Sequence, residues 1–223
     1  MDKEHVFKTL KKQTKSVLLE ALESAYDELS TRQRRWIFSE FVQKSSSSPD
    51  GKKLLKEIEK FQRDSLEEVY YAPFDINSKN FMHIPEETEE WFDRLGGLLK
   101  ENKKLVEQED HEHAVECFGI LYRLIEEMEE GKEIVFADEL GSWLIPCEGK
   151  EILAAYITSL AAIKSPEEFT TAVLPFAQRD SYHSFVDRVY TSANRVASKE
   201  QKAHLRAELK RQNIPTSSRS RKR

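Results

Sequence analysis

With 223 residues, 39% hydrophobic and 34% charged, the chain is long enough to bury a core without disulfides or a structural metal. Seven glycines and seven prolines are too few for a turn-rich β sandwich, and no apolar run approaches the ~20 residues that cross a bilayer. The net charge of -5 is uneven: residues 1–44 hold nine basic and seven acidic side chains and residues 195–223 ten and two, leaving 16 basic against 31 acidic between them.

From the N-terminus, Val6, Phe7 and Leu10, then Val17, Leu18, Ala21, Leu22, Ala25 and Tyr26, recur at spacings of three and four. They predict one long helix, or two joined near Gln13 to Lys15. Ser30 with Gln33 three residues on is a capping box, and it opens a helix through Trp36, Ile37, Phe41 and Val42. Arg32, Arg34 and Arg35 lie in its first turns, where the helix dipole disfavours positive charge. That placement suggests pairing with acidic partners; the alternative is solvated surface. The run SSSSPDG at 45–51 reads as a linker, so residues 1–44 form a two-helix arm ahead of a helical domain over 50–212.

A third helix is predicted from Lys52 to Tyr71, with Leu54, Leu55, Ile58, Phe61, Leu66, Val69 and Tyr70 on one side. The periodicity then breaks over residues 71–85. Phe74, Ile76, Phe81 and Met82 make that stretch too apolar for a free linker, so an ordered loop is expected to pack back on the helices. Phe74, Phe81 and Met82, followed by Glu86, Glu87, Glu89 and Glu90, have the makings of an aromatic anchor rimmed by charge. Plugging the end of the core is the competing role.

Pro85 and Glu86 open the next helix, with Gly96-Gly97 marking a close crossing or a bend. Residues 105–130 read as a helix closed by Gly131, and residues 134–145 as a short buried helix. A helix over 151–164 follows. Ser165, Pro166, Glu167 and Glu168 then combine a cap, a first-turn proline and two acids at the dipole's positive end. Pro175 should kink or shorten that helix. Ser198 with Gln201 opens the last, and residues 213–223 form a basic tail without apolar content, expected to be disordered. The fold class is therefore all-α: stacked antiparallel helices, either α-solenoid-like or an irregular helical bundle, with one long ordered loop.

Residues 141–209, above all LPFAQRDSYHSFVDRVY at 174–190, resemble a helical region of uncharacterised bacterial proteins, some of which carry a SWIM-type zinc finger. The resemblance implies a helical-repeat fold in a bacterial cytoplasmic protein and assigns no catalytic residues. This chain has only Cys117 and Cys147, so the zinc-finger part is absent.

Two well-separated cysteines and an N-terminus without an apolar signal core point to a reduced, cytoplasmic setting. Glu109, His113, Glu116 and Cys117 share helical spacing, but zinc wants three or four protein ligands, and HExxH is missing. No metal and no cofactor is expected. Asp180, His183 and Asp187 at i, i+3 and i+7 suit acid–base chemistry if they line a cleft, and helix capping with a hydrogen-bonded histidine if they do not. GxSxG, GxGxxG and CxxC motifs are absent. The pattern favours a non-enzymatic protein–protein interaction or adaptor module, its partner another protein or a second copy of the chain, with no membrane role. One alternative is a nucleic-acid accessory protein making weak, salt-dependent contacts through the basic N-terminal helix and tail. The other is an enzyme with its site at residues 180–187.

Overall fold

The computed structural model describes residues 2–30, 33–34, 37, 50–72, 84–136, 138–179 and 188–214. Among these all regular structure is helical, in nine α-helices and one 3-10 segment. No described helix is long and apolar enough to cross a membrane. The chain divides into two compact units, Met1–Ser46 and Ser47–Arg223.

In the first unit, α1 (Lys3–Leu10) is opened by Asp2, whose carboxylate accepts from the Glu4 and His5 amides. Helix α2 (Lys15–Glu28) is opened by Thr14, whose hydroxyl accepts from Val17. That threonine cap is why the long apolar pattern forms two helices instead of one. The predicted box at Ser30 is made in both directions: Ser30 N donates to Gln33 Oε1 at 3.0 Å, and Gln33 N to Ser30 Oγ at 3.4 Å. Trp36, Phe41 and Val42 lie outside the described residues.

The second unit contains α3 (Gly51–Leu66), α4 (Glu86–Glu107), α5 (His111–Glu129), the 3-10 segment Asp138–Leu144, α6 (Gly149–Ile163), α7 (Pro166–Arg179), α8 (Val189–Val196) and α9 (Lys199–Arg211). Helix α5 packs against α3, α4, α6 and the 3-10 segment; α6 also meets α4, α7 and α8; α7 lies on α8 and α9. Each principal contact joins helices one or two apart in the chain, a bundle built up layer by layer. Tyr122 of α5 stacks on Tyr156 of α6 at 5.4 Å, and Phe176 of α7 meets both rings edge-on, at 4.9 and 5.6 Å.

Several boundaries differ from the periodic pattern, each for a local reason. Helix α3 stops at Leu66, short of Tyr71, because Glu68 turns left-handed at φ 59°. The Val69 amide then bonds Asp64 O and the Glu68 amide bonds Ser65 O, the two hydrogen bonds of a Schellman stop. Helix α4 runs through Gly96-Gly97 to Glu107, and the helix expected from Leu105 begins at His111. Glu109, at φ 63°, builds the same stop there. Asp50 and Gly51 belong to α3, with Asp50 capping Lys52 N at 3.0 Å. The short helix predicted over 134–145 is a turn holding buried Ile134 and Val135, then a 3-10 segment broken at Gly141 (φ 61°). Helix α7 continues past Pro175 to Arg179 without being shortened there. The loop expected at 71–85 lies mostly outside the described residues.

A few polar side chains tie the layers together. Trp91 of α4, fully buried, donates Nε1–H to Ser65 Oγ at 2.9 Å, and Ser65 donates on to Phe61 O at 2.7 Å. Gln201 serves two helices at once. Its Oε1 accepts from Ser198 N, closing the α9 box, and its Nε2 donates to Ala161 O and Lys164 O at the end of α6.

Two measurements probe these contacts. Replacing Gln201 with Glu keeps the box acceptor but turns an oxygen toward two carbonyls, and should cost about 2–3 kcal/mol in urea unfolding. A loss below about 0.5 kcal/mol would mean the α6 carbonyls are satisfied otherwise. A Cβ on Gly96 would stand 2.6 Å from Pro146 Cδ, whereas one on Gly97 meets nothing within 4 Å. Gly96→Ala should therefore destabilise by about 1–3 kcal/mol, and Gly97→Ala stabilise by roughly 0.5–1 kcal/mol.

Candidate functional site

Apolar spacing in α2 places Val17, Leu18, Leu19, Ala21, Leu22, Ala25 and Tyr26 along one broad side, with Glu20, Glu23 and Ser24 opposite. Such a side normally lies against a core. Here Leu19 is 51% exposed, Leu22 50%, Tyr26 44% and Val17 42%, and Phe7 of α1 is 54% exposed. None of the described side chains between residues 2 and 37 is buried. The second unit has a continuous buried core, and its exposed large apolar residues are spread over several elements: Leu66, Val69, Trp143, Ile163 and Val196. Among the described residues, four of the exposed large apolar side chains, Val17, Leu19, Leu22 and Tyr26, thus fall on α2.

Of the residues singled out by the sequence, Arg34 is placed. Its Nε donates to Tyr26 O at 2.8 Å and its guanidinium lies 4.8 Å from the centre of the Tyr26 ring. This pair braces one end of the α2 surface by a cation–π contact. Phe74, Phe81, Met82, Arg32, Arg35, Asp180, His183 and Asp187 lie outside the described residues. The face of α2 was legible as an amphipathic stripe, but periodicity alone does not say whether a stripe meets its own chain.

The titratable groups of the second unit do not assemble into a reaction centre among the described residues. Glu109 sits in the turn before α5, Glu116 is exposed and Cys117 fully buried, so spacing that looked shared is dispersed. His113 Nδ1 lies 2.8 and 3.0 Å from the Asp110 carboxylate, and His111 Nδ1 is 3.3 Å from Ser159 Oγ. Among the described residues, no three His, Cys, Asp or Glu side chains converge to hold a metal. An open cleft of about 500 Å³ is lined by Lys100, Lys103, Pro146, Cys147, Glu148 and Glu151. Lys103 Nζ is bound to Glu151 Oε2 at 2.6 Å. Burial pushes the Cys147 thiol up to about 11, with Lys100 opposing and Glu148 adding. At neutral pH it is a protonated thiol and a poor nucleophile.

No family model, curated protein or solved structure matches the chain.

Thiol chemistry checks this picture. Alkylation of Cys147 should be slow at pH 7 and accelerate about tenfold per pH unit up to pH 10, while Cys117, driven by burial to about 12, reacts only on unfolding. Both thiols hold their protons more tightly folded than unfolded, so their contribution to stability is whole below about pH 9 and is lost as pH rises through 11 to 12. Rapid Cys147 labelling at pH 7 would show a thiolate stabilised by the cleft.

Proposed function

We propose that this is a cytoplasmic, non-enzymatic protein–protein interaction module that docks through the apolar side of α2. The observation that carries this reading is the exposure of Leu19, Leu22, Tyr26 and Val17 on one helix, while the second unit has a continuous core of its own. Isolated apolar side chains at a surface are ordinary, but a helix with a whole unburied stripe has interaction as its physical use. Covering the exposed half of each leucine returns on the order of 1 kcal/mol. Tyr26, held by Arg34, adds an aromatic anchor of the type that dominates interface energetics.

The nucleic-acid reading draws on Arg32, Arg34, Arg35 and the tail, of which Arg34 is engaged with Tyr26. The enzymatic reading draws on Asp180, His183 and Asp187, for which no geometry is described. No described contact favours either.

The test pairs a binding measurement with a stability measurement. Leu19→Asp/Leu22→Asp should leave the unfolding free energy within about 0.5 kcal/mol of the parent and abolish stoichiometric capture of a protein partner. Val69→Asp, at an exposed residue of the second unit, should leave capture intact. Unchanged capture by the double variant, or a stability loss above about 2 kcal/mol, would refute docking through this face.

A further inference from the structure

We infer that one flank of α9 is a docking face for the phosphate backbone of double-helical DNA. This second binding surface rests neither on the α2 reading nor on Arg32, Arg34 and Arg35. Residues 195–223 carry ten basic and two acidic side chains, a net +8 in a chain of -5, which leaves -13 for residues 1–194. Within α9, Lys199, Lys202, Arg206 and Lys210 follow one another at steps of three, four and four. At about 100° per residue they fall inside an arc of about 80°, on the flank of the buried row Gln201, Leu205 and Leu209. Lys199, Arg206 and Lys210 are exposed and Lys202 is half-buried.

An ordinary helix surface neutralises such a row from within. On α3, Lys53, Lys56 and Lys60 have the same spacing, and each has an acid one turn away among Glu57, Glu59 and Asp64. None of the four α9 cations has an acid three or four residues away in either direction. Lys202, Arg206 and Lys210 instead neighbour one another, and like charges at that spacing repel and weaken the helix. The two acids of α9 are engaged elsewhere: Glu208 accepts from Arg211 Nε and Nη2, and Glu200 from Ser198 Oγ at 3.2 Å. Among the described residues, Lys199, Lys202, Arg206 and Lys210 enter no ion pair. An anion from outside the chain relieves this repulsion.

Arg206 is held in place for that role. Its Nε donates to Tyr190 Oη at 2.8 Å and its Nη2 to Asn194 Oδ1 at 3.2 Å, both on α8. Two of the five guanidinium N–H groups are used there, and the rest remain for a phosphate. The row from Lys199 to Lys210 is about 16 Å long, which spans about five phosphates of one strand at roughly 3.4 Å each. What the row lacks selects the occupant. It holds no exposed aromatic ring on which single-stranded bases stack. Ala203 and Ala207 border it where membrane insertion needs large apolar side chains. Tyr190 Oη and Asn194 Oδ1, the acceptors on α8 that would meet a ribose 2′-hydroxyl, are taken by Arg206. A regular line of DNA phosphates, contacted without reading bases, fits four cations in a row.

The experiment titrates the full chain onto a labelled DNA duplex of mixed sequence and follows fluorescence anisotropy. Binding should weaken roughly 100-fold between about 50 and 200 mM salt, a log–log slope of about -3.6 for four neutralised phosphates. Lys199→Gln/Lys202→Gln/Lys210→Gln should bind at least about tenfold more weakly at low salt, with the slope reduced to about -1. Lys210→Gln alone, at an exposed position, should remove about 0.9 of the slope. Lys53→Gln/Lys56→Gln/Lys60→Gln makes the same charge change on α3 and should leave affinity within about twofold. All variants should keep the parent's melting temperature. No binding by the parent at low salt would overturn the inference, as would undiminished binding by the α9 variants. Equal loss in the α3 variant would reduce the effect to net charge and overturn it too. So would equal binding to a duplex RNA of the same sequence, or to phosphatidylserine vesicles. Each of these outcomes leaves protein capture through α2 to its own test.

Discussion

The second unit depends on one helix being apolar over an unusually wide arc. Three helices and the 3-10 segment lie against α5, so a single i, i+3, i+4 stripe would leave some of them without a partner. Ala114, Phe118, Leu121, Ile125 and Met128 form one row, and Cys117, Leu124 and Tyr122 widen it on either side, all buried. Phe118, Tyr122, Tyr156 and Phe176 then carry the contact across α5, α6 and α7. Such ring pairs add about 0.5–1.5 kcal/mol each beyond area burial. The order of the layers follows from which helix can afford two apolar sides.

Sharp helix ends make close stacking possible, because an overrunning helix would collide with the next layer. Four ends use the same left-handed residue with the same pair of backbone bonds: Glu68, Glu109, Gly131 and Asn213. Gly131 and Asn213 are residue types that tolerate this backbone, while Glu68 and Glu109 adopt it against a local preference of roughly 1–2 kcal/mol. At both glutamates the chain must leave the helix within a residue or two to start the next turn, so tertiary packing overrides propensity.

That contrast explains what was readable in advance. Caps were legible because Ser30 with Gln33, Ser165 with Glu168, and Ser198 with Gln201 announce themselves through side-chain chemistry. The all-helical class was legible from periodicity. The stops at Glu68 and Glu109 were not, since nothing in a glutamate signals a left-handed backbone. Gly96 and Gly97 are identical as letters, yet one touches Pro146 and the other faces open space. The α2 surface was half legible. Its stripe is plain in the sequence, but whether a stripe is covered depends on long-range contacts that spacing does not encode.

The two units differ in what remains to be satisfied. Isolated helices of 8 and 14 residues, the lengths of α1 and α2, lie at or below the limit for standing alone in water. Caps from Asp2 and Thr14 help, each by about 0.5–2 kcal/mol, but caps position ends and bury nothing. In the proposed docked state, whatever covers Leu19 and Leu22 also stabilises the helix that presents them. Binding and helix stability are then one equilibrium, and part of the contact energy is spent on ordering. An interface built this way is modest in strength, because the helix must be held as well as bound.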